Sequence, residues 1–256
     1  MNLTALTKMK LSVHAINGGQ ITYVGSLNNK NILLFIGRSN SQKNSAPIQA
    51  LIEPLLALGF TQVWVESIES VAGKLLDNKY NQYFDLSFIP LPKVEMVLRK
   101  LIKAFLLLAH PKHWSYFIYS FKGNQIKSEV SLLKQVIRFF GVGMNIYILS
   151  HSAGGRAASL LASELSVKKL ICFGYPFKHP EEQEDQTRTI VLESIRKPFL
   201  IFQGLWDEYG GKEVPTKYNL SPFISFSFIN TNHEYEGLAK NEWVGISNQI
   251  MAFIKN

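Results

Sequence analysis

Apolar positions along this chain fall into short runs separated by stretches with helical spacing. Thr61–Val65 is rich in β-branched and aromatic residues and reads as a strand. Upstream, residues 12–36 predict two strands, Gln20–Ser26 and Asn31–Ile36, with Asn28-Asn29 as the turn between them. Pro47 suits the first turn of a helix running to about Leu58, and Gly59 is placed to end it. A further helix is expected over about Ser128–Phe140. Four apolar runs follow. The first, from Ile146, ends at Ser150-His151-Ser152, and Leu170–Phe173 ends at Gly174-Tyr175-Pro176. Pro198–Phe202 leads into Gln203-Gly204-Leu205-Trp206-Asp207, and Phe223–Ile229 into Asn230-Thr231-Asn232-His233. A helix-forming run, Ala157–Leu165, separates the first two. Strand, helix, strand alternation implies an α/β fold with a mostly parallel central sheet flanked by helices.

The stretch 67–143 is too long for the single helix that joins neighbouring parallel strands. It carries Tyr80, Tyr83, Phe84 and Phe88, then Pro90 and Pro92. The segment Lys93–His110 is amphipathic. Glu95, Arg99 and Lys103 share one face, while Val94, Val97, Leu98, Leu101, Ile102 and Phe105 share the other. We therefore expect one domain over residues 1–256 with a helical insertion at 67–143, placed to act as a lid. Its aromatic residues have two readings, as the lining of an apolar acyl pocket or as ordinary core.

Composition narrows the class. The 256 residues suffice for one α/β domain, and 46% hydrophobic with 18% charged residues describes a folded protein rather than a disordered one. The one cysteine, Cys172, lies inside an apolar run and cannot form an internal disulfide, which points to a reducing compartment. The first residues lack the charge order of a signal peptide, and no apolar run reaches the ~18 residues of a membrane span. A cytoplasmic protein is the expectation. The net charge is +8, and much of it is local: Lys93–Arg138 holds nine Lys/Arg against two Glu. Such a face either contacts an anionic surface weakly or is simply solvated. No motif for sequence-specific nucleic-acid binding accompanies it.

The chemistry lies at the ends of the apolar runs. Ser152 follows a strand-like run, precedes a helix-forming one, and has small residues two before (Ser150) and two after (Gly154). That is the pattern of a nucleophile on a sharp turn, where bulky neighbours would collide; a plain Ser/Gly turn is the competing reading. Ser152, Asp207 and His233 each stand just past the C-terminal end of a run, and in a parallel sheet those ends share one edge. A serine hydroxyl needs a base to attack at neutral pH, an imidazole can take and return that proton, and a carboxylate can orient the imidazole. Glu208 rivals Asp207 as the acid, and His233 could instead be a solvated loop residue. His14, His110, His113 and His179 are placed less well, and His151, adjoining the serine, should point away from it.

The chain resembles the α/β-hydrolase superfamily, in particular its small dienelactone-hydrolase-like members. The resemblance lies in Ser150-His151-Ser152-Ala153-Gly154-Gly155, in Gln203-Gly204-x-x-Asp207 and in the late His233, and it covers roughly residues 20–70 and 140–256. It implies the α/β-hydrolase fold and a triad of Ser152, Asp207 and His233 in that chain order. It also implies an oxyanion hole made by the N–H of Ala153 and a second N–H from the loop after the third strand, at Gly37, Arg38 or Ser39. Ile36-Gly37 replaces the His-Gly usual there, and Arg38 has a second reading as a solvated loop arginine. The implied activity is cleavage of a small carboxylic ester or thioester through an acyl-enzyme, with no metal or cofactor. The alternative is a catalytically weak or inactive binding or scaffold protein on the same fold, which Ser150, the missing His-Gly and the basic insertion favour.

Overall fold

The computed structural model describes residues 11–16, 19–37, 46–56, 59–67 and 125–255, with scattered helical positions between 78 and 105. Eight strands form one sheet in the order β1-β2-β4-β3-β5-β6-β7-β8. They are β1 (Ser12–Ile16), β2 (Gly19–Val24), β3 (Asn31–Ile36), β4 (Thr61–Ser67), β5 (Asn145–His151), β6 (Val167–Phe173), β7 (Phe199–Gly204) and β8 (Ile224–Ile229). The β1–β2 and β2–β4 pairs are antiparallel, and every pair from β4 through β3 to β8 is parallel. Among the described residues the α-helices with defined bounds are α1 (Ala46–Leu56), α2 (Gln125–Phe140), α3 (Ala153–Leu160), α4 (Val214–Lys217) and α5 (Lys240–Lys255). An α/β architecture with a mostly parallel sheet is thus what the chain adopts.

Burial explains why these runs are strands. A parallel sheet covered on both faces demands apolar residues without alternation, and β3, β4 and β7 are buried along nearly their whole length. Within each strand successive side chains still part to opposite faces. Ile146, Ile148, Leu170, Cys172, Phe199 and Ile201 join α2 and α3 on one face. Leu149, Ile171, Phe173, Leu200 and Phe202 join α1 and α5 on the other. Gly59, at φ +75°, donates its N–H to Leu56 O at 2.9 Å and so ends α1 as expected. That helix is described to Leu56; residues 57–58 lie outside the described set.

The N-terminal expectation needs correction. Three strands, not two, occupy residues 12–36. Ser12–Ile16 folds back on β2, with Ile16 opposite Gly19. Its alternation was too weak to announce it, because it is an edge strand with Val13 exposed. The turn at Asn28-Asn29 does not join neighbours either, since β4 lies between β2 and β3. Helix α3 begins four residues earlier than expected, directly at Ala153 rather than Ala157. The C-terminal helix α5 was not anticipated.

Of the segment 67–143, residues 125–140 form α2, whose Leu132, Leu133, Val136 and Ile137 are buried against the sheet. Most of the rest of that segment, including most of Lys93–His110, lies outside the described residues, and with it the lid and the acyl pocket expected there. Among the described residues, no helix is long and apolar enough to cross a membrane.

Helix α2 carries one energetic liability. The Oε1 of Glu129 is buried without a hydrogen-bond partner, and burial pushes its carboxyl up from 4.5 to about 7. The folded state therefore holds this proton more tightly than the unfolded chain does. Stability is unaffected below about pH 4.5 and falls as pH rises from there through 7. Glu129→Gln is expected to leave stability unchanged near pH 4. At pH 8 it should raise stability by about 1–2 kcal/mol, allowing for partial exposure. Urea unfolding at the two pH values checks this.

Candidate active site

The site begins with a backbone distortion. Ser152 joins β5 to α3 at φ 54°, ψ −125°, a region an L-residue enters at a cost of about 1–3 kcal/mol. Its N–H donates to Phe173 O at 2.9 Å, and its carbonyl accepts from Gly155 N–H at 2.8 Å. The small neighbours are needed because the turn is crowded. A Cβ on Gly154 would stand 2.4 Å from Ile36 O and 2.5 Å from Gly37 O. One on Gly155 would stand 2.5 Å from Cys172 Sγ and 2.9 Å from Tyr175 Cδ2. Ser150 is fully buried, and its hydroxyl donates to Ile171 O at 3.0 Å, so a serine fits where glycine is usual without stranding a polar atom.

The chain brings Ser152, His233 and Asp207 into one line. His233 Nε2 lies 2.8 Å from Ser152 Oγ, and His233 Nδ1 lies 2.9 and 2.8 Å from Asp207 Oδ1 and Oδ2. An ionised carboxylate only accepts, so Nδ1 carries the proton and Nε2 is left to accept from the serine hydroxyl. All three residues are buried, at 7%, 1% and 5% exposure respectively for Ser152, His233 and Asp207. Burial pushes the Asp207 carboxyl above its ordinary range. The hydrogen bond and charge of His233, and the Tyr209 N–H at 2.8 Å from Oδ1, pull it back down. Glu208 is exposed, and Asp207 takes both contacts with His233.

Residues 123–252 match the family model described as an alpha/beta hydrolase domain, just over half of the chain. The chain belongs to that family. Solved structures share the fold. Carboxylesterase CesB of Bacillus subtilis has 13% identity and TM-score 0.57, with 96% of this chain and 92% of that one covered. An esterase from Pyrococcus furiosus has 11% identity and TM-score 0.60, with 100% and 94% covered. Dienelactone hydrolase from Anabaena variabilis has 14% identity and TM-score 0.53, with 96% and 97% covered. No curated protein matches the chain. For this α/β-hydrolase those likenesses speak to fold alone.

The expected oxyanion donors are placed in part. Ala153 is exposed and opens α3, so its N–H has no partner in the helix's own ladder. The crowding at Gly154 sets that helix start directly against Ile36 and Gly37. Arg38 and Ser39 lie outside the described residues. His233 is the histidine found at hydrogen-bond distance from the Ser152 hydroxyl. His14 sits on edge strand β1 against the Phe139 ring, and His110 and His113 are outside the described residues. His151 is buried with Nε2 3.4 Å from His233 O. Among the described residues no cluster of His, Cys, Asp or Glu could hold a metal ion.

Two neighbours were not singled out from the sequence. Tyr209 lays its ring 4.3 Å from that of His233, and His179 meets Tyr209 edge-on at 5.8 Å. Gly174, at φ +56°, passes so close that a Cβ there would stand 3.0 Å from His233 Nδ1 and 3.3 Å from Asp207 Oδ2. The Gly-Tyr-Pro that ends β6 reads in sequence as a turn; only the strand order puts it under the histidine. Gly174→Ala is expected to destabilise the α/β-hydrolase by about 1–3 kcal/mol through the positive φ and this crowding. It should also disturb the 2.8 Å contact between His233 and Ser152. A shifted denaturation midpoint together with slower reaction at Ser152 checks both effects.

Proposed function

We propose that this α/β-hydrolase is a serine hydrolase that cleaves a small carboxylic ester or thioester. One observation carries the reading. Ser152, in a strained turn, is 2.8 Å from a buried imidazole whose other nitrogen is held by a buried carboxylate. Ser152 Oγ attacks the acyl carbon as His233 Nε2 takes its proton, and His233 then gives that proton to the departing alkoxide or thiolate. Asp207 keeps the imidazole in the Nδ1–H tautomer and stabilises the imidazolium. The tetrahedral oxyanion is held by Ala153 N–H and by an N–H from the Gly37–Ser39 loop, Arg38 included. Water activated by His233 then releases the acid. Every step is proton transfer and acyl transfer, for which these side chains suffice.

The reading includes a single domain over 1–256 with 67–143 as its insertion, and a cytoplasmic location. Cys172 is a free buried thiol, pushed up to about 12 by burial and therefore unreactive. A scaffold without turnover would have no use for the strain at Ser152 or for a histidine aligned on it.

Fluorophosphonate labelling followed by peptide mass spectrometry tests the proposal. The adduct is expected at Ser152, absent in Ser152→Ala and His233→Ala, and slowed by about ten-thousand-fold in Asp207→Asn, which removes the carboxylate that sets the tautomer. Labelling that survives His233→Ala at the wild-type rate would sink the triad. A panel of short-chain esters and thioesters then reads kcat/KM for the acyl class.

A further inference from the structure

Gln203, the last residue but one of β7, is fully buried and uses every polar atom it has. Its Oε1 accepts from Tyr175 N–H at 3.0 Å. Because a backbone N–H can only donate, the amide cannot be turned round, and Nε2 must face the other way. There it donates to Asp207 Oδ2 at 2.8 Å and to Gly210 O at 2.6 Å, with Tyr175 O at 3.4 Å beyond. One side chain thus ties together the loop leaving β6, the carboxylate facing His233, and the loop 207–210 that carries Tyr209.

We infer that Gln203 is a positioning residue of the triad: its amide N–H holds Asp207 Oδ2 while its amide oxygen is anchored on the Tyr175 N–H, keeping acid and base in line with Ser152. The inference rests on the serine-hydrolase reading. Asp207 Oδ1 is already held by Tyr209 N–H, so without Gln203 the other oxygen would be left with no anchor except the imidazole it has to orient. Gln203 also fixes Gly210, three residues past Asp207, and with it the loop whose Tyr209 ring covers His233. A neutral amide suits the task. It donates to an anion in a dry site without adding a charge that would compete with the imidazolium for Asp207.

Two substitutions separate positioning from mere packing. Gln203→Met keeps the bulk and loses the donor and the acceptor. Gln203→Glu keeps an acceptor for Tyr175 N–H and, by sharing a proton with Asp207, keeps a donor. Gln203→Met is expected to slow fluorophosphonate labelling of Ser152 by about 10–100-fold. It should also move the acid limb of the pH profile upward, since a donor to the anion favours the deprotonated pair. Gln203→Glu should recover most of the rate. Glu208, Tyr209, Cys172, Tyr235 and His151 surround the pair unchanged in every variant, so the shift belongs to Gln203. In an Asp207→Ala background, Gln203→Met should add no further loss. The same loss with or without Asp207, or an unmoved profile, overturns the proposal.

Should Gln203→Met fail to fold, Gln203→Glu alone decides. Its labelling must fall at alkaline pH, where the shared proton is lost and two carboxylates face each other; a profile parallel to wild type overturns the proposal. The two readings fail separately. No label on folded wild type ends the hydrolase reading. Gln203 is then judged by the low-field proton resonance of His233 Nδ1–H, expected to broaden away in Gln203→Met and to persist in Gln203→Glu. Its persistence in Gln203→Met counts against Gln203.

Discussion

The close approach of α3 to the ends of β3 and β6 is the constraint on which the site depends. Without a Cβ at Gly154 and Gly155, the helix settles against Ile36 O, Gly37 O and Cys172 Sγ. That leaves Ser152 no relaxed conformation: β5 arrives buried, α3 departs at once, and the residue between them must take a positive φ. The cost is local, while the contacts that impose it are spread over the core face shared by α2 and α3. Pointing the hydroxyl out of the sheet edge is therefore a property of the whole sheet, not of the turn.

Electrostatics places a second demand on the same edge. A carboxylate as buried as Asp207 is held ionised only if its oxygens are well supplied with donors. The fold supplies them from three directions: His233 after β8, Tyr209 N–H in the loop after β7, and the Gln203 amide from within β7. Gly174 supplies the room, lacking a side chain where Nδ1 and Oδ2 pass. Strand order makes this convergence possible, because β5, β6, β7 and β8 are parallel neighbours whose C-terminal ends finish side by side.

Much of this was legible in the sequence, for physical reasons that also mark where legibility stops. Strands β3 to β7 announced themselves because covered parallel strands are mostly apolar, edge strand β8 because its isoleucines and phenylalanines recur around Ser225 and Ser227, and Pro47 with Gly59 bracketed α1 through backbone chemistry that acts within a few residues. Strand β1 stayed hidden because an edge strand with exposed Val13 and His14 has no such demand on its pattern. Helix α3 was expected late because Ala153-Gly154-Gly155 scores poorly as helix on its own; tertiary crowding, not propensity, makes it one. Ser152, Asp207 and His233 could be named because each follows a run that must end at the same edge. Gln203 stood in the quoted motif without a role, since a buried amide's partners depend on which loops meet it. Tyr209 and Gly174 were unreadable for the same reason.

Ser152 and His233 are separated by 81 residues, and Asp207 by 26 from His233. While the chain is being made, the serine emerges well before the strands that bring the imidazole and the carboxylate. Through that interval β5 can pair with β3 and the turn can form, yet the hydroxyl has no partner to take its proton. Until β8 is in place the hydroxyl has no imidazole beside it, and the line from Ser152 through His233 to Asp207 can form only when the sheet is complete. Pairings this distant are slow to find. The order of residues along the chain therefore makes this buried hydrogen-bonded line one of the last features the fold can assemble.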